Sequence, residues 1–395
     1  MSVAAAAALP RRHAALEQAG LVAVYGVAGT LQFSIAIAQI LLTVAVCCWI
    51  ALVVLDRETI EVPSFAWPLG AYVAITLVAT AFSPDPRASL MASKQMVLFL
   101  LVPLVYRFAT GPRAETMVTV IVTCAAVSAA VGIVEYGVLH FDNLGRRPQG
   151  TLGHYMTYSG LLMLVIGVAL ARVLFGTRDR LWSALVMPAL LVALPLTFSR
   201  SAEVGVCAAV ALLLFLKDRR LLAVLPVLAA LFFVLAPARV TDRFESIFNL
   251  KDPTNRDRIA MLKEGAHMIK DHPVLGIGPN MVRPLYVQYR EPDAVNAVNP
   301  HLHNVPVQIA AERGLPALAV WLWFVVGLIV ALAKQWRLSD QKMLPATGLA
   351  TVVAMLAAGM FEYNFGDSEF LMLFLILVTL PFAAGNTSDR SVHFS

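Results

Sequence analysis

Stretches of about 20 apolar residues recur along most of this 395-residue chain. An α-helix of that length crosses the hydrocarbon core of a bilayer and satisfies its own backbone hydrogen bonds there. Charged residues make up 14% of the chain and hydrophobic residues 59%, whereas a typical soluble domain is about 25% charged. We therefore predict an all-α, polytopic membrane protein.

About twelve transmembrane helices are predicted from these apolar runs. They cover residues 14–32, 35–55, 65–82, 91–109, 115–138, 152–175, 181–198, 202–216, 220–237, 308–333, 344–361 and 369–385. Three regions result: 1–237 with helices 1–9, a large loop in 238–307, and 308–395 with helices 10–12 and the C-terminus. No cleaved signal peptide is expected, because Arg11-Arg12-His13 follows the N-terminal alanine run without a small-residue cleavage pattern.

Basic residues in the short connections predict the orientation, because Lys and Arg concentrate in cytoplasmic loops. With a cytoplasmic N-terminus, the cytoplasmic connections carry Arg11, Arg12, Arg57, Arg107, Arg113, Arg172, Arg178, Arg180, Lys217, Arg219, Arg220, Lys334, Arg337, Lys342 and Arg390. The opposite short loops carry only Arg87, Lys94, Arg146, Arg147 and Arg200. Both termini are thus expected in the cytoplasm, and the loop of residues 238–307 is expected outside it.

The long loop is predicted to be structured and to contain an amphipathic helix. Thr254-Asn255-Arg256-Asp257 fits a capping box, and Pro273 is expected to end the helix before a turn at 276–280. The apolar residues at helical spacing are Ile259, Leu262, Ala266 and Ile269. One flank of this stripe is basic and carries Arg256, Lys263, His267 and Lys270. Arg258 falls on the other flank, so we expect it to point into the protein.

Arginine and histidine residues cluster at the outer ends of the predicted helices. Arg147, beside Arg146, precedes His154 and Tyr155; Arg200 precedes Glu203; Arg258 lies in the loop helix. Convergent arginines suit a diphosphate, because guanidinium groups are permanently charged and donate several hydrogen bonds. We therefore predict an anion pocket that uses Arg147, His154, Tyr155, Arg200 and Arg258.

Each of these residues also has a plainer interpretation. Arg147 could be half of a solvated loop pair, and Arg200 could be a stop signal between two helices. His154 and Tyr155 could belong to an interfacial aromatic belt. Glu203 could orient Arg200 through a salt bridge or merely cap the helix.

His303 is the predicted catalytic base. It lies in Pro300-His301-Leu302-His303-Asn304, at the mouth of an apolar segment, and Gly314 follows nearby. Histidine exchanges a proton near neutral pH, which suits a general base. His301 and Asn304 are expected to orient it. No P-loop, Rossmann fingerprint, HExxH motif or DxD-like pair outside the membrane is found, so no metal, cofactor or nucleic-acid partner is expected.

Two motifs carry a resemblance to a known family. The first runs from Asn255-Arg256-Asp257-Arg258 to the glycine-rich turn at 276–278, and the second is His303-Asn304 followed by Gly314. With the segment 153–160, they make the chain resemble the O-antigen ligase/polymerase superfamily of bacterial membrane glycosyltransferases. Ala317 departs from the Gly, Thr or Tyr that is frequent at the end of the second motif.

The resemblance implies a GT-C-like helical scaffold in the bacterial inner membrane, with its active site facing the periplasm. It further implies a metal-independent, inverting transfer of O-antigen from undecaprenyl diphosphate to a sugar of lipid A-core, favouring a ligase. An O-antigen polymerase and a protein O-oligosaccharyltransferase are the nearest alternatives. A transporter or flippase of lipid-linked glycan would instead favour charges near the bilayer midplane and inverted repeats.

Overall fold

The structure, a computed structural model, describes residues 3–386, without the side chains of residues 3–13 and of Phe248. These residues form helices, short 3₁₀ segments and one isolated β-bridge, with no β-strand among them. The first α-helices are α1 Val3–Thr30, α2 Ile35–Asp56, α3 Ala66–Ala81, α4 Pro86–Ser93, α5 Leu101–Phe108, α6 Pro112–Gly137, α7 Tyr155–Phe175 and α8 Arg180–Leu196. They are followed by α9 Arg200–Lys217, α10 Leu225–Leu235, α11 Ala238–Glu245, α12 Pro253–Asp271, α13 Val282–Tyr289, α14 Val305–Leu338, α15 Met343–Gly359 and α16 Ser368–Gly385. The predicted all-α class is confirmed.

Within the described residues, six helical segments are long and apolar enough to cross a membrane, so the chain is a multi-pass membrane protein. They are α2, the continuous segment Pro86–Phe108, α6, α7, α14 and α16. The apolar helices α3, α8 and α15 are shorter than 18 residues. Each of the twelve predicted transmembrane segments coincides with a helical segment, but six do not meet this criterion of length and hydropathy. Arg390, which contributed to the predicted orientation, lies outside the described residues.

The centre of the bundle lies around α7 and α16. In the apolar stretches of α7 and α16, 78% and 72% of the residues are buried. In α2 only 33% are buried, so most of this helix faces outward. Beside them, the rings of Phe324, Phe365 and Phe374 lie with centroids 6.4–6.5 Å apart. Phe365 belongs to the α15–α16 connection, residues 360–367. This aromatic packing therefore anchors a connection that carries part of the candidate site.

The long loop is structured and has a hydrophobic core of its own. Buried side chains from α12, the following turn, α13 and α14 form this core; they are Met261, Met268, Ile277, Met281, Val282, Leu302 and Ala311. The loop therefore packs as a unit on one end of the helical bundle, which we call the loop end.

The loop contains the helix α12 where a helix was predicted, but two details of that prediction are wrong. Asp252 caps the helix by accepting hydrogen bonds from the backbone N–H groups of Thr254 and Asn255, so the expected capping box does not form. Ile259 and Leu262 are each 41% exposed, because the loop core buries the neighbouring face that carries Met261. The basic flank is exposed as predicted.

Glycines join the turn after α12 to a kink in α14. Gly314 has φ +81° and ψ 169°, outside the helical region, and a Cβ there would lie 2.0 Å from the carbonyl oxygen of Val274. The backbone N–H groups of Ile277 and Gly278 donate to the carbonyl groups of Ala311 and Glu312 at 2.8 and 3.0 Å. The two glycine motifs therefore pack directly against each other, although Gly278 and Gly314 are 36 residues apart in the chain.

Candidate functional site

His303 lies in the connection that leads into α14, directly before the helix cap. Its φ is +48°, in the left-handed region that non-glycine residues seldom occupy and that is frequent at functional sites. Asn304 accepts a hydrogen bond from the backbone N–H of Val307 at 3.0 Å and donates one to the carbonyl of Met360 at 3.1 Å. Asn304 thus fixes the backbone beside His303 and ties it to the α15–α16 connection.

Glu362, which sequence reasoning missed, faces His303 from this connection. Its Oε2 lies 2.9 Å from Nδ1 of His303, and its Oε1 accepts the backbone N–H of Tyr363 at 3.0 Å. Burial opposes ionisation, but His303, His301 and this N–H outweigh it and lower the pKa of Glu362 to about 2. A carboxylate at Nδ1 favours the tautomer whose Nε2 lone pair can accept a proton.

His301 lies against His303, with ring centroids 4.1 Å apart. Its Nε2 is 3.8 Å from Glu362 Oε1, and its buried Nδ1 has no hydrogen-bond partner among the described residues. Burial and the neighbouring His303 lower the pKa of His301 to about 4, although Glu362 acts in the opposite direction. His301 is therefore neutral near pH 7.

Arg200 is the first residue of α9, and its buried side chain reaches the loop. Its guanidinium donates to Ser246 Oγ at 2.9 Å and pairs with Asp252 at 3.4 Å. Arg243 of α11, a second residue that the sequence analysis missed, pairs with the other oxygen of Asp252 at 3.7 Å. The helix cap of α12 is thus also the carboxylate that holds two arginines side by side.

Arg258 and Arg147 approach from the other sides. Arg147 lies over the ring of Tyr155 at 4.2 Å and Arg258 over the ring of Phe361 at 5.9 Å. Burial lowers the pKa of both guanidinium groups, and the positive charge of Arg243 contributes to the shift. They remain protonated at neutral pH, so the site concentrates poorly hydrated positive charges.

One cavity of about 280 Å³ at the loop end brings five of the predicted site residues together. The sequence-predicted residues that line it are Arg147, Tyr155, Arg200, Arg258 and His303. Arg243, Asp257 and Glu362 line it too. Because the four arginines come from four separate parts of the chain, we call this space the arginine cavity. It would offer an anion several hydrogen-bond donors next to the His303 imidazole.

A second cavity of about 190 Å³ adjoins the first. Both are lined by Met156, Ser201 and Glu362. His154 and His301 line the second cavity, so the structure places His154 apart from the arginines with which it was grouped. Glu203 is buried one turn into α9 with Oε2 unbonded among the described residues, and Arg200 pairs with Asp252 instead.

His301, His303 and Glu362 could also hold a metal ion, since their ligand atoms lie within 4.8 Å of one another. Two histidines and a glutamate form a known zinc ligand set. The hydrogen bond between His303 Nδ1 and Glu362 instead fits a histidine whose second nitrogen is kept free. The two uses differ in their sensitivity to chelators, which provides a test.

The fold and site define a multi-pass membrane protein with an arginine-lined cavity beside a histidine that is hydrogen-bonded to a carboxylate. Residues 185–322, about a third of the chain, match a family model described as O-antigen ligase. The match confirms the resemblance to the O-antigen ligase/polymerase superfamily and points to a glycosyltransferase-like enzyme of O-antigen processing. It includes Arg200, Arg243, Arg258 and His303 but not Arg147 or Glu362. No curated protein matches the chain.

Proposed function

We propose that this protein is an O-antigen ligase of the bacterial inner membrane. It would transfer O-antigen polysaccharide from undecaprenyl diphosphate to a sugar of lipid A-core, with the loop end in the periplasm. The observation that carries the proposal is the arginine cavity, where four guanidinium groups lie beside the His303–Glu362 pair. Twelve transmembrane helices and a GT-C-like arrangement belong to the same proposal.

The proposed reaction is a direct displacement with inversion. His303 Nε2 removes the proton from an acceptor hydroxyl as its oxygen attacks the anomeric carbon of the donor sugar. The new glycosidic bond forms while the bond between that carbon and the diphosphate oxygen breaks. Undecaprenyl diphosphate leaves with the bonding electron pair, and the proton remains on His303 until it passes to solvent.

The arginines supply the electrostatic part of this mechanism. Arg200, Arg243, Arg258 and Arg147 would bind the diphosphate and stabilise the negative charge that grows as it leaves. Arg147 makes a cation–π contact with the ring of Tyr155. Glu362 stabilises the positive charge that His303 acquires, and Asn304 and His301 keep the base in place. No step needs a metal, so transfer should survive removal of divalent ions.

The proposal is tested by analysing the glycolipids of a strain that lacks the gene. A ligase predicts long O-antigen chains on undecaprenyl diphosphate and a bare lipid A-core. If the gene encodes a polymerase, the core in this strain should instead carry single repeat units. That result would overturn the ligase assignment.

Variants then test the site. Arg258→Ala, at normal expression, should lose most transfer, whereas Arg256→Ala on the exposed face of the same helix should retain it. Full activity in both Arg200→Ala and Arg258→Ala would remove the diphosphate assignment. His303→Ala should lose turnover and still bind donor. If a chelator abolishes activity and zinc restores it, His303 is a metal ligand and not the general base.

A further inference from the structure

We infer that the second cavity binds a sugar residue of the acceptor glycan through His154, Thr157, Asn364 and Asp367. This inference rests on the proposed transferase function and names the side of the site from which the attacking hydroxyl comes. The cavity of about 190 Å³ is smaller than the roughly 300 Å³ that marks the lower end for whole-ligand sites. That size fits recognition of one sugar ring at the end of a longer glycan.

A chain of polar side chains lines one wall of the second cavity. His154 Nδ1 lies 3.2 Å from the hydroxyl of Thr157, which in turn donates a hydrogen bond to Oδ2 of Asp367. The other oxygen of Asp367 accepts the backbone N–H of Phe370 at 2.9 Å and caps α16. This wall offers carboxylate and imidazole groups to a ligand, and such groups pair with sugar hydroxyls.

Asn364 supplies an independent observation. It is 7% exposed, and its amide donates to the carbonyl of Met355 at 3.1 Å, but its Oδ1 is buried without a hydrogen-bond partner in residues 3–386. An unsatisfied buried acceptor costs free energy unless a ligand donates to it. A sugar hydroxyl is such a donor.

The charges of the two cavities separate the two substrates. Four arginines line the arginine cavity, whereas no arginine or lysine among residues 3–386 lines the second cavity, which carries the carboxyl groups of Asp367 and Glu362. The second cavity therefore disfavours a diphosphate and accepts a neutral sugar. Glu362 lines both cavities and holds His303, so a hydroxyl from one cavity and an anomeric carbon from the other meet at the same base.

Asp367→Asn tests the inference with little disturbance of the fold, because asparagine caps helices as well as aspartate does. It replaces the Oδ2 acceptor by an amide donor. We expect the KM for a lipid A-core acceptor to rise about ten- to a hundredfold, the effect of losing a hydrogen bond to a charged group. The KM for the lipid-linked donor should not change. The matched control is Asp85→Asn, which alters the exposed cap of α4 outside both cavities.

A second pair of variants separates binding from folding. Thr157→Val removes the hydroxyl and should weaken acceptor binding in the same way. Thr157→Ser keeps a hydroxyl and should preserve acceptor binding. Binding of soluble core oligosaccharide and of O-antigen repeat oligosaccharide, measured by calorimetry, gives a readout that needs no turnover. Weaker binding of either glycan to Asp367→Asn than to the wild type supports the subsite.

Three results would overturn the subsite: equal KM increases for donor and acceptor, unchanged acceptor KM, or unchanged oligosaccharide binding in Asp367→Asn. A failure of the ligase assignment looks different. If only the repeat oligosaccharide binds, and Asp367→Asn weakens it, the acceptor subsite stands and the enzyme is a polymerase.

Discussion

Replacing Glu362 by glutamine probes the link between the carboxylate and the proposed base. Glutamine has nearly the same shape, and its amide oxygen can still accept the backbone N–H of Tyr363, which Glu362 Oε1 does at 3.0 Å. What it removes is the negative charge 2.9 Å from Nδ1 of His303. The imidazolium that forms when His303 takes a proton would then lose its counter-charge inside a buried site.

The size of this loss follows from the carboxyl group. Burial alone would raise its pKa, yet His303 and the other partners bring the pKa of Glu362 from 4.5 to about 2. That difference corresponds to about 3 kcal/mol in favour of the carboxylate. If most of it stabilises the imidazolium in the transition state, Glu362→Gln should lower kcat about a hundredfold.

The assay is steady-state transfer by purified protein in lipid nanodiscs, with a polyprenyl-diphosphate-linked glycan as donor and lipid A-core as acceptor. The donor KM should be unchanged. Glu291→Gln, which removes a carboxylate near Lys263 and His267 on the loop surface, is the matched control. In a His303→Ala background, Glu362→Gln should have no further effect, because both changes act on one proton transfer. Multiplicative losses in the double variant, or more than half of the wild-type rate in Glu362→Gln, would refute the reasoning.

Three further predictions concern the frame of the site. Gly314→Ala should lower stability by at least about 2 kcal/mol, seen as a lower melting temperature in detergent, because φ is +81° and the new Cβ meets the Val274 carbonyl. Below pH 6.5 the unfolded chain protonates His301 while the folded chain, with a pKa of about 4, does not; the melting temperature should therefore fall as the pH drops from 6.5 to 4, and His301→Gln should reduce that slope. Asp257→Ala should speed amide hydrogen exchange at residues 295–296 at least about tenfold, because both N–H groups donate to its carboxylate at 2.9 Å.

Hydrophobic patterning was enough to predict the helical segments, because a membrane helix is specified locally by length and hydropathy. The sequence of α12 alone did not specify which face of this helix is buried. Its apolar residues Ile259 and Leu262 suggested a buried stripe, but tertiary packing buries Met261 and Met268 instead. The loop core that decides this includes Leu302 and Ala311, some 40 residues further along the chain, and no periodicity within one helix reports such contacts.

The site shows the same division. Arg200 could be found because an arginine at the outer end of a predicted membrane helix is unusual. Arg258 could be found because it falls on the flank of α12 away from the basic residues, and His303 because it lies before an apolar segment beside an asparagine. Arg243 looked like one of several basic residues in a long loop, and its role depends on sharing Asp252 with Arg200. Glu362 directly follows a predicted transmembrane helix, in a short connection that also contains Asp367. An acidic residue at the outer end of a span, on the same side as a candidate base, is the signal that could have identified it.

The formal charge of the arginine cavity has the sign that the proposed donor requires. Four guanidinium groups line it against the carboxylates of Asp257 and Glu362, which leaves two net positive charges on the lining while the histidines are neutral. Asp252, which pairs with Arg200 and Arg243 from outside the lining, reduces this to one. A diphosphate esterified at both ends carries two negative charges. Asp257 is already satisfied by the amides of residues 295–299, and Glu362 by His303, so neither competes strongly for the arginines. Burial, and repulsion by the positive charge of Arg243, lower the pKa values of Arg147 and Arg258, so the positive charges are in place before substrate arrives. In the proposed reaction, binding of the diphosphate would relieve that repulsion, and the charge that develops on the leaving group would strengthen the same contacts, which is the differential stabilisation that catalysis requires.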